Sequence, residues 1–289
     1  MSIIQNTFIG NEAGTGGALS LSTGRNTGGS ASVWINESTF VGNKAEAYGG
    51  AIMLGSGFVH IYQSNFTSNN ASQLGGALCL DSGGEVLINQ SMFVGNTAIN
   101  SFSDYKPGGA VVVKYGTLSA HHTDFTDNTG DDGGGVFVAR GNVSVNNFNF
   151  FNKKAIGVGG AISSCMCNSP NNISITDSKF SHNTAVVQCA VLHLSGRSMK
   201  LISGSTFTYN RELLRYGDTY SYGDSGVACI KRVSISVLNS TFSHNAATLH
   251  SGVFSLQSQY DDLQVLFHQQ FSGSDCHYGQ WHIMLVWLS

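Results

Sequence analysis

Phe66-Thr67-Ser68-Asn69, followed six residues later by Gly75-Gly76-Ala77-Leu78, is the stretch that decides the fold. The same two elements recur along the chain: a Phe with an Asn three positions later, then a glycine pair that opens a short apolar run. Successive Phe residues of this element lie between 25 and 35 positions apart. A period of this length is typical of a solenoid, in which each repeat is one unit that cannot bury its apolar face alone.

Nine copies of the Phe element can be aligned, and the sixth is degraded because Lys153 takes the place of its Asn. The copies begin at Phe8, Phe40, Phe66, Phe93, Phe125, Phe150, Phe180, Phe207 and Phe242. The glycine element begins at Gly16, Gly49, Gly75, Gly108, Gly133 and Gly159, and in weaker form at Cys189, Ser225 and Ser251.

The repeat predicts strands rather than helices. Apolar residues alternate after each glycine pair, as in Ala77-Leu78-Cys79-Leu80, which is the period of a half-buried strand. A second β-branched segment such as Val86-Leu87-Ile88 follows, and the Phe closes a third short strand, whereas no stretch sustains the apolar spacing of a helix. The sequence therefore predicts an all-β parallel β-helix of about nine rungs, with three short strands per rung and about 4.8 Å between rungs.

Each repeated residue type suits one place in such a rung. Phe at a fixed inward position becomes a column of stacked rings. Asn is expected at a turn, because its side chain can bond its own backbone, because it tolerates left-handed geometry, and because its amide can stack on the amide of the next rung. The glycine pair is expected where rungs approach closely or where φ is positive.

Composition agrees with a solenoid and excludes other classes. Charged residues make up 11% of the chain, with 36 Gly and 2 Pro, which suits side chains stacked in columns and backbones that hydrogen-bond between rungs. A hydrophobic share of 41% argues against disorder. The net charge of −3 and the absence of a basic run argue against a nucleic-acid partner.

One solenoid domain is expected over residues 1–271, with an atypical tail over residues 272–289 that is either a cap or a truncated segment. The chain opens in the middle of a rung and has no recognisable signal peptide, so we expect a fragment. The apolar run Trp281–Leu288 is shorter than the roughly 20 residues that a membrane-spanning helix needs, and no transmembrane segment is predicted.

Six cysteines are present, and their positions argue against most pairings. Cys79 and Cys229 fall in the same strand column but about five rungs, roughly 24 Å, apart. A bridge between Cys165 or Cys167 and Cys189 is geometrically possible, while Cys276 lies in the tail. We expect small buried or turn thiols.

The best candidates for chemistry are the carboxylates Asp124, Asp127, Asp131 and Asp132. Pectin-hydrolysing β-helices use paired aspartates as general acid and base, but the Gly-His-Gly and Arg-x-Lys motifs of such a site are missing. The cluster is therefore interpreted as a plain solvated turn, a weak cation site or, least favoured, a catalytic pair. No catalytic residue, cofactor or dedicated metal site is predicted.

Histidines are predicted to lie on the surface rather than to bind metal. His182 and His244 share one column, but Tyr209 separates them by a rung, so they are nearly 10 Å apart. His121 and His122 are neighbours in sequence and are expected to point to opposite faces of a strand.

Two longer turns occur at the same position of the rung and are candidate binding loops, because insertions at one position of a solenoid project from one face. Tyr and Arg are enriched at interaction hot spots, although loops also drift in length without function. The candidate residues for a partner are Tyr105, Lys106, Arg211, Arg215, Tyr216, Tyr220 and Tyr222. Candidate N-glycosylation sequons begin at Asn36, Asn65, Asn70, Asn89, Asn142, Asn172 and Asn239.

The alternation of the Phe and glycine elements resembles the repeats of the polymorphic outer membrane protein (Pmp-like) family, and it covers nearly the whole chain. The resemblance implies a right-handed parallel β-helix displayed on a cell surface, with adhesion as its role. The signal peptide and the C-terminal membrane β-barrel of that family are not found in this sequence.

The leading functional hypothesis is a non-enzymatic, secreted or surface-displayed β-helix with an adhesion, structural or interaction role and a protein or glycan partner on a cell surface. The alternative is a polysaccharide lyase or glycoside hydrolase of the pectin-active β-helix type. Two or three carboxylates in a groove, with Arg or Lys on adjacent rungs, would favour the enzyme, and a neutral face would favour binding.

Overall fold

A computed structural model describes residues 1–21, 32–99, 108–164, 171–195, 200–213, 225–231, 234–248, 251–257 and 265–268. Within these ranges the chain forms strands and turns, the strands pair in parallel, and no helix is found. No described segment is therefore a helix long and apolar enough to cross a membrane. The predicted boundary at residue 271 and the tail 272–289 lie outside the described residues.

The strands form three sheets, which confirms a parallel β-helix. Nine short strands that carry the repeated Phe form the Phe sheet: Thr7–Ile9, Thr39–Val41, Asn65–Thr67, Met92–Val94, Asp124–Thr126, Asn149–Phe151, Lys179–Ser181, Thr206–Thr208 and Thr241–Ser243. Eight strands that follow the Asn positions form the Ala sheet: Glu12–Thr15, Lys44–Tyr48, Asn70–Ala71, Thr97–Ala98, Thr129–Gly130, Lys154–Ala155, Thr184–Ala185 and Arg211–Glu212.

The third and largest sheet, the large sheet, has 17 strands: Ser2–Ile4, Leu19–Leu21, Ser32–Asn36, Ile52–Leu54, Phe58–Tyr62, Leu78–Leu80, Glu85–Asn89, Val111–His121, Val136–Asn146, Ile162–Ser164, Ile173–Thr176, Leu192–Ser195, Lys200–Ser203, Ala228–Lys231, Ile235–Leu238, Phe254–Gln257 and Val265–His268. It contains both the strands after the glycine pairs and the β-branched strands. Two 11-residue strands, Val111–His121 and Val136–Asn146, run through both positions and join them into one sheet. All three predicted strands of the rung are present, and the Ala sheet is an additional one.

The Phe column is the centre of the core. The nine Phe residues pair in exact register from Phe8 to Phe242. Neighbouring rings stack with centroids 4.6 to 5.1 Å apart. From Phe40 onward these side chains are fully buried, so each adds roughly the 1.5–3 kcal/mol of a buried large apolar side chain as well as its stacking.

The Asn residues form a buried ladder of amides, and the left-handed residue is the one before each Asn. At Asn69, Nδ2 donates to Phe40 O at 3.0 Å and to Asn96 Oδ1 at 3.0 Å. The backbone N of Asn69 also donates to Asn96 Oδ1, at 3.0 Å. Ser68 has φ of +53°, and the equivalent residue of the other rungs is also left-handed. The left-handed geometry that Asn tolerates is thus taken by the residue before it, and the Asn amide faces inward and bonds adjacent rungs instead of its own backbone.

A second polar ladder, not predicted from the sequence, lies two residues before each Phe. Ser64 Oγ donates to Tyr62 O at 2.9 Å and accepts from the backbone N of Ser38 at 3.1 Å. The positions that repeat this arrangement are Ser38, Ser64, Ser91, Thr123, Ser178, Ser205 and Ser240. Each hydroxyl thus satisfies two backbone groups at the turn between the large sheet and the Phe sheet.

The two glycines of the pair serve the two purposes expected of them. Gly75 has φ of +63°, and a Cβ there would lie 2.2 Å from Leu78 O. Gly76 has no unusual φ, but a Cβ there would lie 2.5 Å from the backbone N and O of Thr97 in the next rung. The first glycine therefore makes the turn and the second allows two rungs to approach.

Candidate interaction surfaces

The four aspartates of the candidate cation site are largely engaged within the fold. Asp132 Oδ1 accepts from the backbone N of Val158 at 3.0 Å, and Asp131 is buried. Asp127 Oδ1 accepts from Asn152 Nδ2 at 2.6 Å, while Asp124 lies on the exposed face of the Phe sheet. Across the described ranges, no group of three or more His, Cys, Asp or Glu side chains is arranged to hold a metal ion. Asp132 therefore stabilises the turn by joining it to the next rung.

Lys153 occupies the Asn position of the sixth rung, as the sequence predicted, and it interrupts the amide ladder. Its backbone N still donates to Asn183 Oδ1 at 2.9 Å, but Nζ donates to Phe151 O at 2.8 Å. Burial lowers the pKa of Lys153 to about 6, against the opposing effect of Asp127 and Asp124. In the same rung Phe148 replaces the Ser of the second ladder, so both polar ladders are broken there.

Of the seven candidate partner-binding residues, Arg211 lies within the described ranges. Tyr105, Lys106, Arg215, Tyr216, Tyr220 and Tyr222 lie outside the described residues. Arg211 is exposed at the end of the Ala sheet, and its backbone N donates to Asn183 O at 3.0 Å. The neighbouring Glu212 is buried and accepts from the backbone N of Thr248 at 2.9 Å. A partner-binding role of Arg211 stays a prediction.

The sequon asparagines all lie on outward positions of the rungs. Five of them, Asn65, Asn70, Asn142, Asn172 and Asn239, are exposed. Asn36 and Asn89 are half-buried and stand on either side of Tyr62 in the register of the large sheet. Asn142 Oδ1 accepts from the backbone N of Asn172 at 3.2 Å, so these two sequons lie next to each other on adjacent rungs.

The column of His182 and His244 is an exposed row of stacked rings. Tyr209 lies between them, with ring centroids 5.4 Å from His182 and 4.8 Å from His244, and Phe151 begins the row 5.3 Å before His182. The prediction that Tyr209 separates the two histidines is confirmed, and they cannot share one metal ion. His122 lies in a turn after the strand that His121 ends, rather than within the strand.

A second exposed aromatic group, the Trp34 patch, consists of Trp34, Phe58, His60 and Tyr62. Phe58, His60 and Tyr62 point outward from one strand of the large sheet, because Val59 and Ile61 point into the core. Trp34 lies on the preceding rung, where it is the register partner of His60. The two rings stack with their centroids 4.0 Å apart and an interplanar angle of 10°. Nothing in the sequence repeat marked these residues, since the repeat concerns inward positions.

Charged side chains on the described strand faces form isolated pairs rather than a carboxylate-lined groove. Lys114 pairs with Asp81 on the preceding rung and lies 5.4 Å from the ring centroid of Tyr48. Burial lowers the pKa of Lys114, but the hydrogen bond and the negative charge of Asp81 together have the larger effect. The pKa of Lys114 is therefore raised. Lys44 pairs with Glu12 at 2.7 Å. Each pair joins one carboxylate to one lysine, so neither provides the two facing carboxyl groups that a general acid and base need.

Part of the outward column of the large sheet is covered instead of exposed. Cys79, Val112 and Phe137 follow one another in register and pack with Leu74 and Tyr48, which lie just before the glycine pairs. The prediction of a buried thiol is confirmed for Cys79, and burial raises its pKa. This outer cluster extends the apolar packing beyond the interior of the solenoid.

The remaining described cysteines form a disulfide that the sequence analysis missed. Cys189 and Cys229 are bridged, with Cα atoms 5.5 Å apart. Cys189 stands in the column of the first glycine and keeps its left-handed geometry, with φ of +59°. Gly159 is the equivalent residue one rung earlier, and a Cβ there would lie 3.0 Å from Ser163 Cβ. Ser163 belongs to the same outward column of the large sheet as Cys229, so a Cβ at this position of the rung lies beside that column. The expectation of free thiols is thus wrong for Cys189 and Cys229, and Cys189 is not available to Cys165 or Cys167.

His193 lies between Ser163 and Cys229 in the same column and is buried. Its Nδ1 is 3.4 Å from Ser163 Oγ. Burial lowers the pKa of His193 to about 3, with a further contribution from Lys231. The ring is therefore neutral over the physiological pH range and packs beside the disulfide.

Comparisons of this chain with protein-family models, with curated proteins and with solved structures give no match.

Proposed function

We propose that this chain is a non-enzymatic, secreted or surface-displayed β-helix of the polymorphic outer membrane protein type, with an adhesion or interaction role. The main support is how the repeat residues are used. Phe, Asn, Ser and Gly of the repeat serve core and turn, which leaves the outward positions free to vary for binding.

The charged residues favour binding over polysaccharide cleavage. Asp81 pairs with Lys114, and Asp132 binds the backbone of Val158, so both carboxylates already have structural partners. A general acid and base need carboxyl groups that face a common substrate. The described strand faces offer isolated ion pairs for this purpose, not facing carboxylates.

Two further features support an extracellular or cell-surface location. The Cys189–Cys229 bridge would be stable outside the cytosol. Five of the seven sequon asparagines are exposed, and so accessible after folding as well as during synthesis. Both features agree with an extracellular or cell-surface location.

Two measurements on the purified full chain test this function. Beads coated with the protein are expected to attach to cultured epithelial cells, and beads coated with the heat-denatured chain are not. Polygalacturonate is expected to gain neither unsaturated products nor reducing ends. Turnover that disappears in the Asp131→Asn/Asp132→Asn variant would contradict the proposal and support the lyase or hydrolase alternative. Absence of attachment would remove the adhesion role.

A further inference from the structure

The Trp34 patch is not required by the fold. Val33, Ile35, Val59 and Ile61 supply the core of its two strands, while the patch side chains point away from it. On the following rungs, the outward position of Trp34 and His60 is filled by small or aliphatic residues: Leu87, Ser119, Ser144, Ser174, Leu201 and Ser236. Because the same rung geometry is built with Ser, the aromatic residues need an explanation other than folding.

The geometry of the patch leaves ring surface open to a ligand. One face of the Trp34 indole lies on His60, and its register neighbour on the other side is the small Ser2. Phe58 is likewise next to the small Ser32. Along their strand, the outward side chains of Phe58, His60 and Tyr62 are spaced by roughly 6.6 Å, twice the rise per residue. The result is a short row of aromatic side chains on a rigid sheet, with one face of the Trp34 indole open toward Ser2.

The size of the patch suits a small ligand better than a folded protein. Trp34, Phe58 and Tyr62 are 48%, 39% and 38% exposed, which is about 250 Å² if a whole aromatic residue offers roughly 150–250 Å². A stable protein interface buries about 800 Å² on each partner. Three or four sugar rings would cover the patch completely.

The charge around the patch points to a neutral ligand. The residues that pair with the patch in register on either side are Ser2, Ser32, Asn36, Glu85, Leu87 and Asn89, and Glu85 is the one charged residue among them. Serine and amide groups donate and accept hydrogen bonds in the same way as sugar hydroxyls. A cationic site, which an acidic polysaccharide would need, is missing from this set.

We infer that the Trp34 patch binds a neutral, β-linked oligosaccharide of three or four sugars, whose flat C–H faces stack on Trp34 and Phe58 and whose hydroxyls bond Asn36, Asn89 and Glu85. β-linked pyranoses form extended ribbons with apolar faces, which match a row of aromatic side chains. The inference rests on the proposed function and gives that binding role a site and a class of ligand.

The test is calorimetric titration of the full chain with cellotetraose, N-acetylchitotetraose and, as an anionic comparison, heparin tetrasaccharide. The two neutral sugars, or one of them, are expected to bind. Trp34→Ala and, independently, Phe58→Ser are expected to weaken that binding at least about tenfold. Tyr209→Ala removes an equally exposed, stacked aromatic residue at another place and is the matched control, with affinity unchanged. Circular dichroism checks that each variant is folded.

Three outcomes would overturn the inference. These are no binding of either neutral sugar, tighter binding of heparin, or binding that survives both patch substitutions. The bead assay separates this failure from that of the proposed function. Beads that still attach, with an attachment that requires Trp34, is abolished by protease treatment of the cells and survives enzymatic removal of their glycans, would identify a protein partner and reject the glycan. Beads that never attach would reject the function itself.

Discussion

At the scale of single residues, the buried Asn and Ser or Thr side chains of the two ladders are tied to backbone groups. The amide of Asn69 makes bonds to two neighbouring rungs, and the hydroxyl of Ser64 joins two backbone groups. A buried polar group without such partners costs roughly 1–3 kcal/mol. Lys153 is the exception in the amide ladder, because its Nζ bonds the backbone of its own rung, at Phe151 O, and no side-chain bond to the neighbouring asparagines replaces the missing amide.

Restoring the ladder should stabilise the protein. Lys153→Asn would let the side chain accept from Asn128 and donate to Asn183, as Asn96 does with its neighbours. We expect a higher thermal midpoint, equivalent to about 1–3 kcal/mol. Asn96→Lys, which introduces the same defect in an intact part of the ladder, should lower the midpoint. A Lys153→Asn variant that melts at or below the wild-type temperature would contradict this account of the ladder.

Stability should also depend on pH through Lys153. Its pKa is about 6 in the folded protein, below the ordinary value of 10.5, so the unfolded state binds more protons between these values. The free energy of unfolding therefore rises with pH from about 6 to about 10 and falls on acidification through that window. Denaturant titrations at several pH values should give a shallower slope for Lys153→Asn than for the wild type. Lys200, with a pKa of about 8, adds a smaller trend of the same sign to both. Parallel profiles would disprove this assignment to Lys153.

At the scale of the elements, a rung is held by backbone contacts so close that single atoms matter. The glycine pair is the clearest case, because its second member faces the backbone of the next rung. Lengthening a side chain at a packed position forces the backbone to move. The Phe and Ala sheets are built from strands of a few residues, so they have little capacity to absorb such a shift.

Gly76→Ala is the corresponding prediction. The added Cβ would lie 2.5 Å from the backbone N and O of Thr97, and we expect a loss of about 1–3 kcal/mol. Gly14→Ala is the matched control, since a Cβ there meets nothing within 4 Å and its φ is not left-handed. Chemical denaturation of the two variants side by side measures the difference. Equal effects would mean that close approach of rungs is not what requires Gly76.

The sequence predicted those features that repeat in register. Phe66 and Phe93 are equivalent in sequence and also in space, so counting along the chain was sufficient for strands, the core column and the place of Lys153. The Cys189–Cys229 bridge was missed because its two residues lie in different columns of two rungs. Predicting such a bridge requires the direction of each Cα–Cβ bond, which counting residues along the sequence does not give. The Trp34 patch was missed because outward residues do not repeat. Sequence periodicity therefore describes the scaffold and carries little information about the surface.

At the scale of the whole molecule, the described strands form one stack in which each rung pairs with the rungs next to it. In such proteins stability is close to a sum of rung and interface contributions, and partial unfolding from one weak interface is expected. The disulfide joins two successive rungs near the later part of the described chain. It should therefore protect that part of the stack rather than the whole.

Removing the bridge should have a cost that depends on which cysteine is replaced. Cys229→Ser loses about 2–4 kcal/mol of local stability and leaves Cys189 in left-handed geometry. Cys189→Gly loses the same bridge but fits φ of +59°, so it should be milder by about 1–2 kcal/mol. Hydrogen exchange, read rung by rung with mass spectrometry, would show the effect in the strands after Cys189. Identical exchange in both variants, or loss spread evenly to the first rungs, would contradict it.

The rung that carries Phe148 and Lys153 is the place where both side-chain ladders between rungs are interrupted. Hydrogen bonds between rungs lie along the long axis, so a force applied to the two ends loads them in tension. Every other described rung from Asn11 to Asn245 contributes an amide of the buried ladder. Between Asn128 and Asn183 the neighbouring rungs therefore rely on their backbone pairing and on the aromatic column across Phe125, Phe148 and Phe150.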